Sequence, residues 1–383
     1  MKLSRISTSA TFFPEIDGLR FISIFLVIAF HLNGYVGGGA HRNPLNAIFS
    51  IGWSGVELFF VISGFVLSLQ FINRYKNVKA APPLRNYYIR RLTRLEPPYI
   101  IALTIYLAIK IISTRDISLI NNYFSSMFYM HNIIYAKSSA ILGAAWSLEV
   151  EVQFYVLMPI FGQIFRIRNS AIRRFILLLL IILSSLFSWQ IGQITTITTL
   201  ANFMHLFFTG LLLADLICMD GGDAMRSGRV VMQIRPAWDA LGLIAASTFI
   251  IFMRSNFDAK IQVMSIFILP FFLSVMRGGV LRYILTRKLI YTLGGMCYST
   301  YLFHTVVLRF TIEKTGAVDF IFFHLNPSQA EIAVLMLASS LVFSVSTIIF
   351  VMFERPFMDP KWAPRLKGFL ENRIDAAQFA PKV

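Results

Sequence analysis

Cysteine is almost missing: Cys218 and Cys297 are the only two in 383 residues, which excludes a disulfide framework and a cysteine-built metal site. Charge is scarce too. Charged residues make up 14% of the chain and hydrophobic ones 56%, and a mean hydropathy of +0.67 is too apolar for a soluble domain of this length. There is no helical repeat, no low-complexity tract and no soluble terminal domain. The longest polar segments, near 73–96, 114–143 and 354–383, are too short to build cores of their own. What is present instead is a series of apolar stretches long enough to cross about 30 Å of hydrocarbon. They lie near 15–34, 51–72, 97–113, 144–165, 171–190, 200–219, 238–253, 261–276, 289–312 and 329–353. The expected fold is all-α, one polytopic integral-membrane bundle of about ten transmembrane helices over 1–383. The short stretches near 97, 238 and 261 are expected to tilt less, extend at their ends or be re-entrant.

Lysine and arginine number 35 against 19 acidic residues, a net charge of +16. Such a balance suits nucleic acid, but the placement argues for a membrane. Counted from the N-terminus, alternate inter-span segments hold 26 Lys and Arg, including Arg74 to Arg94 and Arg277 to Lys288, whereas the intervening loops hold six. The positive-inside rule then puts both termini in the cytoplasm. Lys2 and Arg5 before an apolar run resemble a signal peptide, yet Glu15, Asp17 and Arg20 inside that run and its Gly-rich exit favour a retained helix. Pro82-Pro83 and Pro97-Pro98 bracket Leu84 to Glu96, which reads as a short basic interfacial helix ended by the second proline pair.

Polar residues inside the spans are the candidates for chemistry. Arg at a span centre costs about 2.5–3.5 kcal/mol to insert, so a chain that retains one uses it. Arg20 and His31 are eleven residues apart in the first span, nearly three helical turns, so both project from one face about 16 Å apart. With the N-terminus inside, Arg20 lies near the cytoplasmic surface and His31 in the outer third. Glu57, near the outer end of the second span, shares a face with Ser54, Val61, Gly64 and Ser68, whose small residues admit another helix or a ligand. In the fourth span, which opens with Trp146 and Ser147, Glu149 and Glu151 are about 200° apart around the helix. Ser147, Glu151 and Tyr155 share the other's opposite face, so Glu151 is the candidate for the polar interior and Glu149 for the interface or a second ion pair. Tyr301 and His304 are neighbours in the ninth span. Trp146, Ser147, Glu57, Tyr301 and His304 are thus candidate pocket residues. At the cytoplasmic end, Arg91 and Arg94 are spaced to meet one anion together with Arg20, and guanidinium suits phosphate. Anchoring to anionic lipid is the simpler use of such a basic helix.

These residues resemble acyltransferase family 3, the integral-membrane acyltransferases, over nearly the whole chain. The Arg-x10-His pattern matches Arg20 and His31; Gly-Val-Glu-Leu-Phe-Phe-Val-Ile-Ser-Gly-Phe matches Gly55 to Phe65; Arg-x-x-Arg matches Arg91 and Arg94; the Trp-Ser-Leu motif matches Trp146 to Tyr155, with Glu151 as its Glu; Tyr-Ser-x-Tyr-Leu-x-His matches Tyr298 to His304; and Glu-Arg-Pro matches Glu354 to Pro356. The resemblance implies a multi-pass protein of the bacterial inner membrane that transfers an acyl group, most often acetyl, from acetyl-CoA to a glycan hydroxyl. The acceptors it implies are O-antigen, exopolysaccharide, lipo-oligosaccharide or peptidoglycan, free or lipid-linked, with no metal and no nucleic acid. Arg20, Arg91 and Arg94 would take the CoA phosphates. His31 would act as general base or as an acyl relay, with Glu151 or Glu57 orienting its imidazole. Some relatives carry an appended extracytoplasmic esterase-like domain, and this chain runs only about thirty residues past its last span, so the membrane domain is expected to act alone or with partners. Glu149 stands where many relatives have Ser. The aromatic segment Tyr123 to Tyr135 and the segment Asn33 to Asn46, with Gly37-Gly38-Gly39, are expected at the outer mouth, where loops set acceptor choice. A transporter or glycan exporter is the competing reading, although the paired interrupted helices common in transporters are not evident.

Overall fold

The computed structural model describes residues 12–36, 49–76, 84–219, 235–314, 321, 324–359 and 362. The triple-glycine run, Pro82-Pro83, Lys2, Arg5 and most of the C-terminal tail lie outside them. Every regular element among the described residues is helical. In chain order the main helices are α1 (Pro14–Tyr35), α2 (Ser54–Lys76), α3 (Leu84–Thr114), α4 (Leu119–Met127), α5 (His131–Tyr135), α6 (Trp146–Phe161), α7 (Ser170–Ile194), α8 (Leu200–Ala214), α9 (Pro236–Met253), α10 (Lys260–Arg277), α11 (Val280–Leu285), α12 (Lys288–Gly295), α13 (Cys297–Lys314) and α14 (Pro327–Ile349).

Eight helices among the described residues are long and apolar enough to cross a membrane, and they coincide with eight of the ten expected spans. Of the other two stretches, 15–34 forms α1, whereas 289–312 is not one span but is divided at Met296 between α12 and α13. Neither belongs to those eight; α1 carries Glu15, Asp17 and Arg20, and α13 carries Arg309, Glu313 and Lys314. The protein wraps these two polar helices in apolar ones. α1 packs against α2, α12, α13 and α14, and its Leu19, Ile24 and Ile28 are fully buried. α7 and α9 form the periphery, where Phe175, Leu183, Leu243 and Ile251 are exposed. That surface is stable in lipid, which solvates apolar side chains, and costly in water.

Close approach at the centre depends on glycine. A Cβ at Gly64 of α2 would lie 2.3 Å from the Phe207 carbonyl oxygen of α8, and one at Gly210 of α8 would lie 2.2 Å from that of Val61. Small residues let two membrane helices pack backbone to backbone. At Gly64 the small face of α2 therefore receives a helix.

The second proline pair does not end a helix. Leu84–Thr114 is a single helix with Pro97 and Pro98 inside it, against the expected interfacial helix that stops there. Each proline removes an amide donor and crowds the preceding turn, typically at about 3 kcal/mol or more. Tertiary bonds hold the chain in register on both sides: Tyr298 Oη donates to the Leu95 carbonyl at 2.9 Å, and Tyr99 Oη donates to that of Ser126 at 2.9 Å, its ring stacked on Tyr129. Local propensity is outweighed by these contacts.

Candidate functional site

The arginine-bearing stretch of α3 is fixed against α6 by two tyrosines. Tyr87 Oη donates to the Tyr155 carbonyl at 3.0 Å and Tyr88 Oη to that of Val156 at 3.0 Å. These bonds set the rotation of α3. They turn Arg91 and Arg94 inward, where both line a cavity of about 100 Å³ together with Arg20, Ser147, Glu151 and Tyr301. Arg90, by contrast, is exposed. The three arginines expected to meet one anion come from two helices far apart in sequence and line one cavity.

Its electrostatics differ from the expectation in one respect. Arg20 is not a free cation: Nη1 donates to Asp17 Oδ1 at 2.5 Å, one turn back on α1. Arg91 lies over the Tyr155 ring, 5.7 Å from its centroid, a cation–π contact that holds the guanidinium without neutralising it. Glu151 accepts a hydrogen bond from Ser63. It balances charge inside the cavity and makes no hydrogen bond to His31.

His31 lies beyond the cavity wall. Its Nδ1 is 2.9 Å from the Val27 carbonyl oxygen and 3.3 Å from Nε2 of His304. The two rings meet edge to face with centroids 4.7 Å apart. His304 is fully buried, and its Nδ1 is 2.7 Å from the Tyr301 carbonyl oxygen. The partner the tertiary structure gives His31 is therefore a second histidine, not Glu151 or Glu57. Tyr301 joins the two regions: its side chain lines the arginine cavity while its carbonyl holds His304. The Tyr301 hydroxyl donates to the Ala144 carbonyl at 3.0 Å and meets Ser147 Oγ at 2.6 Å.

Besides the two histidines, two further candidates stand apart from the cavity. Glu57 is buried with Oε2 unpartnered, in the first turn of α2 and within electrostatic range of Tyr301. Trp146 packs against Phe60 and Phe203 and is part of the aromatic core. Glu354 belongs to the support of the site in a way spacing could not reveal. Its Oε2 accepts from the Ser299 amide at 3.0 Å and from the Ser299 hydroxyl at 2.5 Å, so the Glu-Arg-Pro element anchors the start of the helix that carries Tyr301 and His304.

Glu149 has a structural task. Its Oε2 accepts from the Asn132 amide at 2.9 Å, at the start of α5, so in place of the expected interface position or second ion pair this buried carboxylate caps a helix. His131, unremarked in the sequence, is buried beside it, with Nε2 2.8 Å from Asn122 Oδ1 and Nδ1 3.0 Å from the Lys137 carbonyl oxygen. Burial holds the His131 pKa below the usual histidine value. Together these side chains fasten the 119–137 segment onto α6. In that segment Phe124 and Phe128 are exposed, whereas Tyr129 is buried. Glu149→Ala strips the Asn132 amide of its acceptor, at about 1–3 kcal/mol for an orphaned buried donor. The expected result is faster amide hydrogen exchange in 131–135 with α6 itself unchanged; unchanged protection there would remove the capping role.

Comparison with known proteins places this geometry. A family model described as an acyltransferase domain matches residues 13–351. Peptidoglycan O-acetyltransferase OatA of Listeria monocytogenes serovar 1/2a (strain ATCC BAA-679 / EGD-e) is 29% identical over 169 residues, 41% of this chain and 25% of that protein. The putative peptidoglycan O-acetyltransferase YrhL of Bacillus subtilis (strain 168) is 29% identical over 162 residues, 39% of this chain and 24% of its own length. A putative O-acetyltransferase of Staphylococcus aureus (strain COL) is 31% identical over 160 residues, 39% and 24% of the respective chains. The matched region thus spans about a quarter of each relative. No solved structure matches the chain.

Proposed function

The chain belongs to the acyltransferase family whose domain model spans residues 13–351, and from that membership we propose that it is a membrane O-acyltransferase moving an acyl group, acetyl by preference, from cytoplasmic acyl-CoA to a hydroxyl of a cell-envelope glycan. The observation that carries the proposal is the convergence of Arg20, Arg91 and Arg94 on one cavity whose wall includes Tyr301, the residue whose carbonyl supports the histidine pair. The excess of basic residues in alternate segments supports a cytoplasmic location for both termini and for the arginines, in the inner membrane of a bacterium. The three arginines bind the CoA phosphates. A cavity of about 100 Å³ is small beside the roughly 300–1,000 Å³ of pockets that enclose whole ligands, so it suits the slender pantetheine arm, with the nucleotide at the mouth. The arm passes Tyr301 and presents the thioester carbonyl to His31.

At His31 the imidazole takes the proton of the acceptor hydroxyl as the oxygen attacks the thioester carbon. The tetrahedral adduct collapses, the C–S bond breaks, and the imidazolium returns its proton to the departing CoA sulfur. One ester and one thiol are formed. The acceptor is a polysaccharide or lipid-linked glycan reached from the outer side, where His31 is partly exposed; peptidoglycan, O-antigen and exopolysaccharide all offer the hydroxyl.

The direct test uses purified protein in liposomes with acetyl-CoA and isolated cell-envelope glycan. Release of free CoA that requires the glycan, with acetyl esters on the glycan by mass spectrometry, is the expected result. Glycan crossing the bilayer while acetyl-CoA stays intact would establish the exporter reading instead.

A further inference from the structure

The hydrogen-bond geometry of the two histidines determines where their protons sit. A carbonyl oxygen only accepts, so His304 Nδ1, 2.7 Å from the Tyr301 carbonyl, carries a hydrogen. In a neutral ring its Nε2 is then a bare lone pair, and this atom faces His31 Nδ1 at 3.3 Å. The Val27 carbonyl faces the same His31 nitrogen at 2.9 Å. With an acceptor on either side, His31 Nδ1 must be the donor in a three-centre bond. His31 Nε2 is left unprotonated. Each histidine is pinned by its own helix, Val27 lying one turn before His31 on α1 and Tyr301 three residues before His304 on α13. Burial divides the roles: His304 is sealed, and His31 is partly exposed.

Building on the acyltransferase reading above, we infer that His304 is a positioning residue for the transfer, a neutral imidazole doing what a carboxylate does in a serine-protease triad. It holds the His31 ring so that the Nε2 lone pair meets the acceptor hydroxyl. When that nitrogen takes the proton, the His31 Nδ1–H bond to His304 becomes charge-assisted and strengthens, which stabilises the imidazolium on His31. Neither carboxylate of the first expectation is needed for this: Glu151 is engaged by Ser63 and Glu57 makes no hydrogen bond to His31.

Two measurements test it, one independent of activity. In protein labelled with 15N-histidine, six residues in all, assignment by single replacement should find both His31 and His304 as the Nδ1–H tautomer in the resting protein; His31 found as Nε2–H overturns the inference. The kinetic arm compares His304→Gln, whose side-chain oxygen takes the place of Nε2 as acceptor, with His304→Leu, which removes it. The expected kcat falls about 100-fold in the Leu variant, within the range general-base contributions span, and at most about tenfold in the Gln variant. KM for acetyl-CoA stays unchanged in both, because the donor cavity is on the other side of Tyr301. Equal kcat in wild type, Gln and Leu variants, with His31→Ala inactive, sinks the role of His304 alone. A His31→Ala variant as active as wild type sinks the acyltransferase mechanism itself.

Discussion

His31→Ala is expected to abolish acyl transfer while acyl-CoA binding persists. A positioned general base contributes roughly 10²–10⁴ to a rate, and here it is also the only ring of the pair open to an acceptor, since His304 is fully buried. The proposed phosphate-binding end is untouched by the change: Arg20, Arg91 and Arg94 line a cavity to which His31 does not contribute. Mass spectrometry of acyl groups on envelope glycans, beside titration of purified folded protein with acyl-CoA, separates the two steps. Transfer at the wild-type rate would remove His31 from the chemistry. Loss of both binding and transfer would make it part of the fold instead.

Arg91→Ala combined with Arg94→Ala is expected to produce the reverse pattern. Hydrogen bonds to charged groups are worth about 1.5–3 kcal/mol each, so removing two guanidiniums should weaken acyl-CoA binding by about 10²- to 10⁴-fold. Arg20 cannot compensate, because Asp17 already occupies part of its charge. Lysine at both positions restores charge but not the planar fork, and its Kd should fall between the alanine and wild-type values. The wild-type affinity should also decline as salt rises, since the mouth of the cavity is open to solvent ions. A double alanine variant that binds acyl-CoA normally would place the donor elsewhere. Basic residues of this kind on a membrane face also attract anionic lipid, and in that event membrane association, not donor affinity, would change.

Much of this architecture was legible in the residues. Apolar stretches of spanning length announced the bundle, and eight of the ten recur as helices able to cross a membrane. The facial argument separates Glu151, which lines the cavity, from Glu149, but among the described residues Glu149 is at neither an interface nor an ion pair: it is buried and caps α5. Helical periodicity decides such matters because it is local. The proline pair in α3 was misread for the complementary reason: its tolerance rests on Tyr298, a residue some two hundred positions away, and on Tyr99 meeting Ser126. Likewise, Asp17 as the partner of Arg20 is only one turn away but is a matter of rotamer, which a pattern of residue types does not specify.

The sequence by itself determined the solvent this chain folds in, its helical class, and the set of polar residues that hydrocarbon does not tolerate without purpose; these follow from composition, length and period, each a property of a single segment. Tertiary structure alone decided who meets whom. It brought Arg91 and Arg94 onto Arg20 through the tyrosine bonds between α3 and α6, divided the carboxylates from His31, and gave His31 a histidine partner 273 residues away. Proton position in that pair depends on ångström distances to carbonyls of two different helices, and no spacing along one chain encodes them.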